Sequence, residues 1–379
     1  MRPRFIGSEI YRRSTYGGRH PLAIPRVSTC IDLCRALGWL PDAAYIDSPR
    51  ATPDELARFH DPAYIAAVQR AEAEQDLPEA DRLRFGLGRS GNPIYPEVFR
   101  RPATACGGSI LAGRLLAAGE GVIYSPAGGT HHGRPDRASG FCTFNDPALA
   151  ILALLDGSLE RVFYLDVDAH HGDGVQDAFH DEPRVFTVSI HEDARWPMQR
   201  AGAGSGGVES PGSVADRAGG AARNLPVPAD FNDSELDYLM EAAVLPLLAA
   251  FRPQAVVLQG GADGLAEDPQ SRLALSNGAL WRVVARLRAL APRLLVLGGG
   301  GYNPWSVGRA WAGVWATLNG FEIPERLPGA AEAVLRGLTW RHTRGRNPPD
   351  AWFTTLADPP RPGPLRPAVR ALAGRVLQP

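Results

Sequence analysis

The chain has 379 residues, of which 44% are hydrophobic and 21% charged, and its formal net charge is −1 at pH 7. This composition is typical of a globular protein, and the balanced charge excludes the basic surface that nucleic-acid-binding proteins use. No apolar run reaches the ~20 residues that span a membrane, and the opening MRPRFIGSEIYRR lacks a signal-peptide core, so we expect a cytoplasmic protein. The sequence leaves the oligomeric state open.

Short apolar runs bounded by glycine or aspartate predict buried parallel strands, and longer amphipathic stretches predict helices between them. Asn145 is the expected N-cap of the first helix, and Ser234 begins a capping-box-like start of the second. The alternation predicts a parallel sheet covered by helices on both faces. In chain order the elements are strand Gly121–Tyr124, helix Pro147–Leu155, strands Val162–Leu165 and Val185–Ile190, helix Ser234–Phe251, strand Ala255–Leu258, helix Leu280–Leu290, strand Leu294–Leu297 and helix Trp305–Leu318.

The remaining segments predict loops and a covering tail. Ala201–Gly220 is rich in glycine and serine, which is typical of a surface loop. The proline-rich residues 328–379 are expected to wrap the outside of a single domain that comprises 1–379. Cys30 and Cys34 lie four apart on an expected helix and are interpreted as buried thiols, since no metal-finger spacing is present.

Polar side chains follow the carboxyl ends of the predicted strands. They are His131, His132, Asp166, Asp168, His170, His191, Asp263 and Tyr302. In open parallel sheets ligands bind at this edge, so we expect these groups to share one site.

Asp168 and His170 predict a metal site. They lie two apart, so at the end of an extended strand both side chains point to the same side. Asp263 is the natural third ligand, although an isolated aspartate after a strand is more often a helix cap. Zinc with such ligands and an open position is a hydrolytic centre.

The neighbouring groups fit hydrolysis of a carbonyl compound. Tyr302 follows four glycines and can donate to a developing oxyanion, although a packed turn tyrosine is the simpler alternative. One of His131 and His132 can act as general base. Asp166 and Asp173 can each orient one of these histidines.

Eight stretches of the sequence resemble the zinc-dependent histone deacetylase family, which includes acetoin-utilisation proteins and acetylpolyamine amidohydrolases. The resemblance runs in family order from about residue 20 to 320. The stretches are Arg58–Tyr64, Phe85–Gly88, Gly129–Gly133, Ser139–Asp146, Tyr164–Val175, Thr187–His191, Val257–Asp263 and Gly298–Asn303.

The resemblance implies the arginase-deacetylase fold, a parallel sheet of about eight strands between helix layers. It implies one zinc ion on Asp168, His170 and Asp263. His132 paired with Asp173 would be the general base and acid, and His131 paired with Asp166 its electrostatic partner. Tyr302 would be the oxyanion donor, and Gly140 and Phe141 would line an acyl-lysine tunnel.

The resemblance also implies structural monovalent cations, usually potassium. One would be held by Asp166, Ser189 and the carbonyls of Asp168, His170 and Ile190. A second would be held by the carbonyls of Phe179, Glu182 and Val185. Ala169 and His171, which flank the ligands, argue against the dinuclear centre of the arginase branch.

Two positions differ from the family pattern and bear on the substrate. Gly91 stands where relatives have an acidic residue that grips the substrate backbone. Gln270, at the tunnel mouth, stands where lysine deacetylases often have Leu or Met and the polyamine-selective branch has Glu. We expect deacetylation of an acetyl-lysine-bearing protein or peptide, with a small acetylated amine such as an acetylpolyamine as the alternative. A catalytically silent acetyl-amine binding protein is the rival from another class.

Overall fold

Eight parallel strands form one sheet in the order β2-β1-β3-β8-β7-β4-β5-β6. The computed structural model describes residues 2–14, 16–18, 20–119, 121–198 and 211–378. All five predicted strands are confirmed, and the sheet agrees with the implied eight-stranded architecture. The strands are β1 (Arg4–Gly7), β2 (Tyr45–Asp47), β3 (Gly121–Ser125), β4 (Val162–Asp166), β5 (Val185–Glu192), β6 (Ala222–Val227), β7 (Ala255–Gln259) and β8 (Arg293–Leu297).

Helices connect the strands and cover the sheet. In the described ranges they are α1 (Ile10–Arg13), α2 (Val27–Ala36), α3 (Pro53–Leu56), α4 (Pro62–Glu74), α5 (Glu79–Phe85), α6 (Arg100–Ala117), α7 (Asp146–Asp156), α8 (Asp173–Ala178), α9 (Asp233–Leu239), α10 (Leu245–Phe251), α11 (Asn277–Leu290), α12 (Pro304–Asn319), α13 (Gly329–Arg336), α14 (Ala351–Thr354) and α15 (Pro367–Val376). None of these is long and apolar enough to cross a membrane.

Alternate residues of β4 show why the central strands are apolar throughout. Phe163 and Leu165 pack in the cluster that contains α11 and α12, whereas Val162 and Tyr164 pack in the cluster with α6 and α7. Both faces of the strand are therefore buried, as is usual in parallel sheets. The register places Asp166, the last residue of β4, beside Ser189 of β5 and Gln259 of β7.

The predicted helices are present, with one correction. The Asn145 side chain accepts a hydrogen bond from the N–H of Ala148 and caps α7, as predicted. The predicted helix Ser234–Phe251 begins instead at Asp233, where Asn232 and Glu235 form the capping box. It also contains a π-helical turn over Met240–Val244, which divides α9 from α10. The capping prediction was wrong by two residues because asparagine caps as well as serine does.

The C-terminal segment contributes to the core and does more than cover it. Trp352, Leu356 and Val376 are buried in the same hydrophobic cluster as the central strands. The expectation of an outer wrapping is therefore too limited. Near its end, α15 packs against β6, and the carbonyl of Val376 accepts hydrogen bonds from Arg217 and Arg223, each of 3.1 Å.

Replacing Trp352 with alanine is expected to destabilise the chain by about 3–5 kcal/mol, because it leaves a cavity beneath α14. Trp352 is 7% exposed, and its ring centroid lies 5.5 Å from that of Trp305. Denaturant unfolding measures the change. Leu377→Ala is the control, because Leu377 is 43% exposed and its loss should cost little. Equal effects of the two substitutions would show that the tail only covers the surface.

Two other predictions concern cysteines and a loop. Cys30 and Cys34 lie on α2 and are buried free thiols, as predicted. Of the predicted loop Ala201–Gly220, residues 201–210 lie outside the described residues. The rest consists of turns and one short 3₁₀ turn at Ala218–Gly220.

Candidate active site

The carboxyl ends of β3, β4, β7 and β8 bring the predicted site residues together. Asp166 ends β4, and Asp168 and His170 follow it directly. Asp263 follows β7, Tyr302 follows β8, and the loop after β3 carries His131 and His132. Because parallel strands end at the same edge, residues far apart in sequence become neighbours there. His191 is the exception, because it lies within β5 and bonds Ser189 and the Gly212 carbonyl instead.

Asp168, His170 and Asp263 form the cluster that can hold a metal. One ligand atom from each lies within 4.8 Å of the others, and this is the one such cluster in the described part of the chain. The Nδ1 atom of His170 lies 2.9 Å from Asp263 Oδ2 and 3.3 Å from Asp168 Oδ1. Two carboxylates and one imidazole are a ligand set that suits zinc.

Backbone amides fix the orientation of both carboxylates. Asp168 accepts hydrogen bonds from the N–H groups of His170 (3.0 Å) and Gly300 (2.7 Å). Asp263 accepts one from the N–H of Ala169 at 2.9 Å. A Cβ atom at Gly300 would lie 2.1 Å from Asp263 Oδ2, so only glycine permits this approach. The glycine run after β8 therefore serves close packing against the ligands.

Two histidine–aspartate pairs lie beside this cluster. The Nδ1 atom of His131 lies 2.7 Å from Asp166 Oδ2, and that of His132 lies 2.7 Å from Asp173 Oδ1. The pairing that the family resemblance implies is therefore present. A hydrogen bond from Nδ1–H fixes the tautomer and turns Nε2 toward the cavity. The two imidazole centroids are 3.9 Å apart.

The two imidazoles differ in charge. Burial disfavours the charged form of His131, but the carboxylates of Asp166 and Asp168 outweigh it and raise the pKa of His131 to about 9. Burial and the nearby charge of His131 lower the pKa of His132 to about 4. At neutral pH His132 is therefore the imidazole that can accept a proton.

Tyr302 and Gln270 are positioned by one buried carboxylate. Asp268 accepts hydrogen bonds from the N–H of Tyr302 at 2.6 Å and from the N–H of Gln270 at 2.8 Å. Tyr302 is 7% exposed, and its ring centroid lies 6.0 Å from that of Phe141. The bond to Asp268 therefore couples the position of Tyr302 to that of the residue at the cavity opening.

A surface cavity of about 760 Å³ leads to these groups. Its lining includes Gly140, Phe141 and Gln270, as predicted, together with His132, His170 and Tyr302. Phe141 has φ +68°, a left-handed conformation that is costly for a bulky residue. Its N–H donates to Asn92 Oδ1 at 2.9 Å, and its carbonyl accepts from the Tyr16 hydroxyl at 2.9 Å. These bonds hold the ring at the cavity wall.

Two residues of the site, Trp196 and Asn92, were not predicted from the sequence. Trp196 lines the cavity, and its ring centroid lies 4.7 Å from that of His132. It stands in an irregular segment with no periodicity, so nothing in the pattern marks it. Asn92 follows Gly91, a position already singled out in the sequence, but its contact with Phe141 joins residues 49 apart in the chain and could not be inferred from the pattern.

The residues predicted to hold monovalent ions lie at the carboxyl end of β4 and on or just before β5. Asp166 and Ser189 are register partners on β4 and β5, and both are buried. Asp166 Oδ1 accepts the N–H of Asp168 at 3.0 Å. Phe179 and Glu182 precede β5 and Val185 is its first residue; the carbonyls of Phe179 and Glu182 accept the N–H groups of Glu182 and Val185. The ion sites therefore stay predictions.

The comparisons with known proteins agree with this geometry. The sequence matches the histone deacetylase domain over residues 20–318. It is 32% identical over 331 residues to the acetoin utilization protein AcuC of Bacillus subtilis (strain 168), covering 86% of this chain and 84% of that protein. It is 31% identical over 311 residues to histone deacetylase 8 of Xenopus tropicalis, covering 80% and 81%.

A solved structure matches the whole fold. The crystal structure of an HDAC homolog from Aquifex aeolicus superposes with a TM-score of 0.90 at 32% identity, covering 99% of this chain and 100% of that one. The structure of an HDAC homolog complexed with SAHA gives the same values. The arginase-deacetylase fold is confirmed by this match. The chain therefore belongs to the histone deacetylase family, whose members are deacetylases acting on amide bonds.

Proposed function

We propose that the protein is a zinc-dependent amidohydrolase that removes acetyl or another short acyl group from the side-chain amine of acetyl-lysine. One observation carries the proposal. Two histidine–aspartate pairs lie beside three side chains that could hold a metal, and His132, His170 and Tyr302 line one cavity. An acetyl-amine binding protein would not need a proton-accepting imidazole beside such a cluster.

Asp168, His170 and Asp263 would hold one zinc ion. Bound there, zinc supplies a Lewis acid for the acyl carbonyl and lowers the pKa of water. The fit rests on the three ligand atoms within 4.8 Å of one another and on carboxylates already oriented by backbone amides. His170, one of the three, also lines the surface cavity through which a substrate would enter.

His132 would move the proton. Asp173 fixes its Nδ1–H, so Nε2 faces the cavity and can take a proton from the attacking water. The same atom can then return that proton to the leaving amine. His131, whose charge Asp166 and Asp168 favour, would stabilise the negative charge that develops at the carbonyl.

Tyr302 would donate a hydrogen bond from its hydroxyl group to the developing oxyanion, while aromatic rings hold the alkyl chain of the substrate. Phe141 and Trp196 both line the cavity that leads to Tyr302. Their apolar faces suit the methylene chain of a lysine or another alkylamine, whose burial excludes water from the reacting amide. Gly140 leaves room for this wall, because a Cβ atom there would lie 2.3 Å from the ring of Trp196 and 2.6 Å from that of His132.

The remaining expectations are part of the same proposal. We assign one deacetylase domain to residues 1–379. We also assign one structural potassium ion to the site at Asp166 and Ser189, and a second monovalent ion to the site at Phe179, Glu182 and Val185. We also assign a cytoplasmic location, which the four free buried cysteines support.

Zinc analysis and a substrate panel test the proposal. The purified chain should contain one zinc per molecule and hydrolyse an acetyl-lysine peptide, and removal of the metal by a chelator should abolish turnover reversibly. An acetylated diamine and an acetylspermidine belong in the same panel, because they represent the alternative substrate class. Stoichiometric zinc without turnover of any compound would instead favour a binding protein.

Replacing Gln270 with glutamate should shift kcat/KM toward acetylpolyamines by roughly five- to tenfold relative to acetyl-lysine peptides. A carboxylate at this position would attract the second cationic nitrogen of a polyamine, whereas the amide can offer only hydrogen bonds. Steady-state kinetics on both substrates measures the ratio. Gln69→Glu adds the same charge on the exposed face of α4 and is the control. An unchanged ratio in the Gln270 variant would place substrate choice elsewhere.

A further inference from the structure

Two surface cavities meet above Tyr302. They have volumes of about 760 and 590 Å³, and Gln270 and Tyr302 line both of them, so we call their joint opening the mouth. None of the described side chains that line either cavity is an aspartate or a glutamate, but three are arginines. They are Arg195 and Arg272 in the larger cavity and Arg341 in the smaller one.

Arg195 and Arg272 share a single carboxylate. Glu192 is buried, and it accepts hydrogen bonds from Nε and the backbone N–H of Arg272 at 2.8 and 2.9 Å. Arg195 pairs with the same carboxylate through its Nε and Nη2 atoms. One carboxylate balances one of the two guanidinium charges. The side chain of Arg272 is 66% exposed, so the uncompensated charge faces the solvent at the mouth.

The other side of the mouth adds charge of the same sign. Arg341 is exposed in the C-terminal segment, beside Trp340 and His342, whose rings stack with centroids 4.5 Å apart. The Nδ1 atom of His342 accepts the N–H of Arg344 at 3.2 Å. The Nδ1 atom of His20 accepts the N–H of Leu22 at 3.1 Å, and burial lowers the pKa of His20, so this imidazole adds no positive charge to the mouth.

The two positions where a carboxylate would attract a cationic substrate cannot supply one. Gln270 is a neutral amide. A Cβ atom at Gly91, where φ is +80°, would lie 2.4 Å from the ring of Phe141, so this wall has no room for a side chain. Among the described residues the net charge of the mouth is therefore positive. It is positive because three arginines line the mouth and neither Gln270 nor Gly91 supplies a carboxylate.

We infer that the mouth selects acetylated amines that carry a carboxylate near the acyl-lysine and disfavours polycationic ones. The inference rests on the proposed function and names the substrate class of that same site. The carboxylate can be the α-carboxylate of free Nε-acetyl-lysine or a flanking aspartate or glutamate in a peptide. Because exposed charges attract weakly, the expected preference is about fivefold in kcat/KM, and it should shrink at high salt.

Matched substrates test the inference on the zinc-loaded full chain. Three acetyl-lysine peptides differ only in one neighbour, which is Asp, Asn or Arg, and free Nε-acetyl-lysine is compared with its carboxamide. We expect kcat/KM to fall in the order Asp, Asn, Arg at 50 mM NaCl and the differences to contract at 500 mM. Dissociation constants of the same compounds are measured in parallel by calorimetry.

The variants separate the mouth from the net charge of the protein. The double variant Arg272→Gln/Arg341→Gln should bring the Asp-to-Asn ratio close to one. Arg4→Gln should keep the parent ratio, because Arg4 is exposed at the amino end of β1, whereas the site lies at the carboxyl ends of the strands. A ratio that falls equally in both would overturn the inference, since net charge would then explain it.

The possible results of these experiments separate the inferred substrate preference from the proposed deacetylase activity. Equal kcat/KM for all compounds, or a higher kcat/KM for the Arg peptide, would overturn the inferred preference, whereas the proposed deacetylase activity would still stand. If no compound is hydrolysed but the Asp peptide binds most tightly, the proposed deacetylase activity is overturned and the inferred preference for a carboxylate is supported. A preference for free acetyl-lysine over its carboxamide, without a difference among the peptides, supports it and identifies the α-carboxylate.

Discussion

Replacing Asp263 with alanine is expected to abolish both zinc retention and amide hydrolysis. The Oδ2 atom of Asp263 lies 2.9 Å from Nδ1 of His170. Without Asp263 only two protein ligands remain, and two ligands cannot compete with solvent and chelators for zinc. Asp168→Ala should have the same effect, because Asp168 belongs to the same cluster. Metal content after gel filtration in a weak chelator, measured together with turnover, gives the result.

Two control variants show whether the effect of Asp263→Ala is due to the loss of a metal ligand. Asp263 also accepts the N–H of Ala169, so Asp263→Asn, which keeps the shape and one acceptor, controls for local unfolding. Asp181→Ala controls for the general loss of a carboxylate, because the Asp181 side chain is 93% exposed. An Asp263→Ala variant that keeps stoichiometric zinc and a near-parent rate would remove Asp263 from the ligand set.

Replacing Tyr302 with phenylalanine should lower kcat on the order of 10²–10³-fold with little change in KM. The substitution keeps the ring but removes a donor. Burial and the nearby carboxylates of Asp263 and Asp168 raise the pKa of Tyr302 well above its usual value, so the hydroxyl keeps its proton at neutral pH. An interaction made only with the developing oxyanion affects kcat and kcat/KM equally.

Tyr238→Phe is the matched control for Tyr302, because it removes the same hydroxyl from a half-buried tyrosine on α9, away from the site. Its rate constants should match those of the parent protein. A large rise in KM with unchanged kcat for Tyr302→Phe would mean that the hydroxyl binds the ground state. Tyr302 would then be a binding residue and not the oxyanion donor.

The strands that could be predicted are those buried on both faces. Val162–Leu165 and Ala255–Leu258 are continuous apolar runs, which is the pattern of strands buried on both faces of a parallel sheet. Strand β6, with Arg223, Asn224 and Pro226, lies at an edge and carries no such pattern. Strand β2 has three residues, too few for periodicity to be recognised.

The same contrast holds for the site. Asp168 and His170 could be predicted together because their spacing in sequence already places them on one side of a strand end. The pairs His131–Asp166 and His132–Asp173 lie 35 and 41 residues apart, so the family resemblance implied them and the spacing alone did not. They become neighbours because the loops after β3 and β4 lie at the same edge of the sheet. Trp196 escaped prediction because its contact with His132 depends on an irregular segment after β5.

The packing of α15 against β6 bears on how the chain avoids aggregation. A strand at the edge of a sheet exposes unpaired N–H and C=O groups, which can recruit the edge of another molecule. One edge of this sheet is the three-residue β2, and the other is β6, which contains Pro226 and is covered by α15. Loss of the last helix would therefore expose a templating edge, so truncated chains should form intermolecular sheets before their active site is damaged.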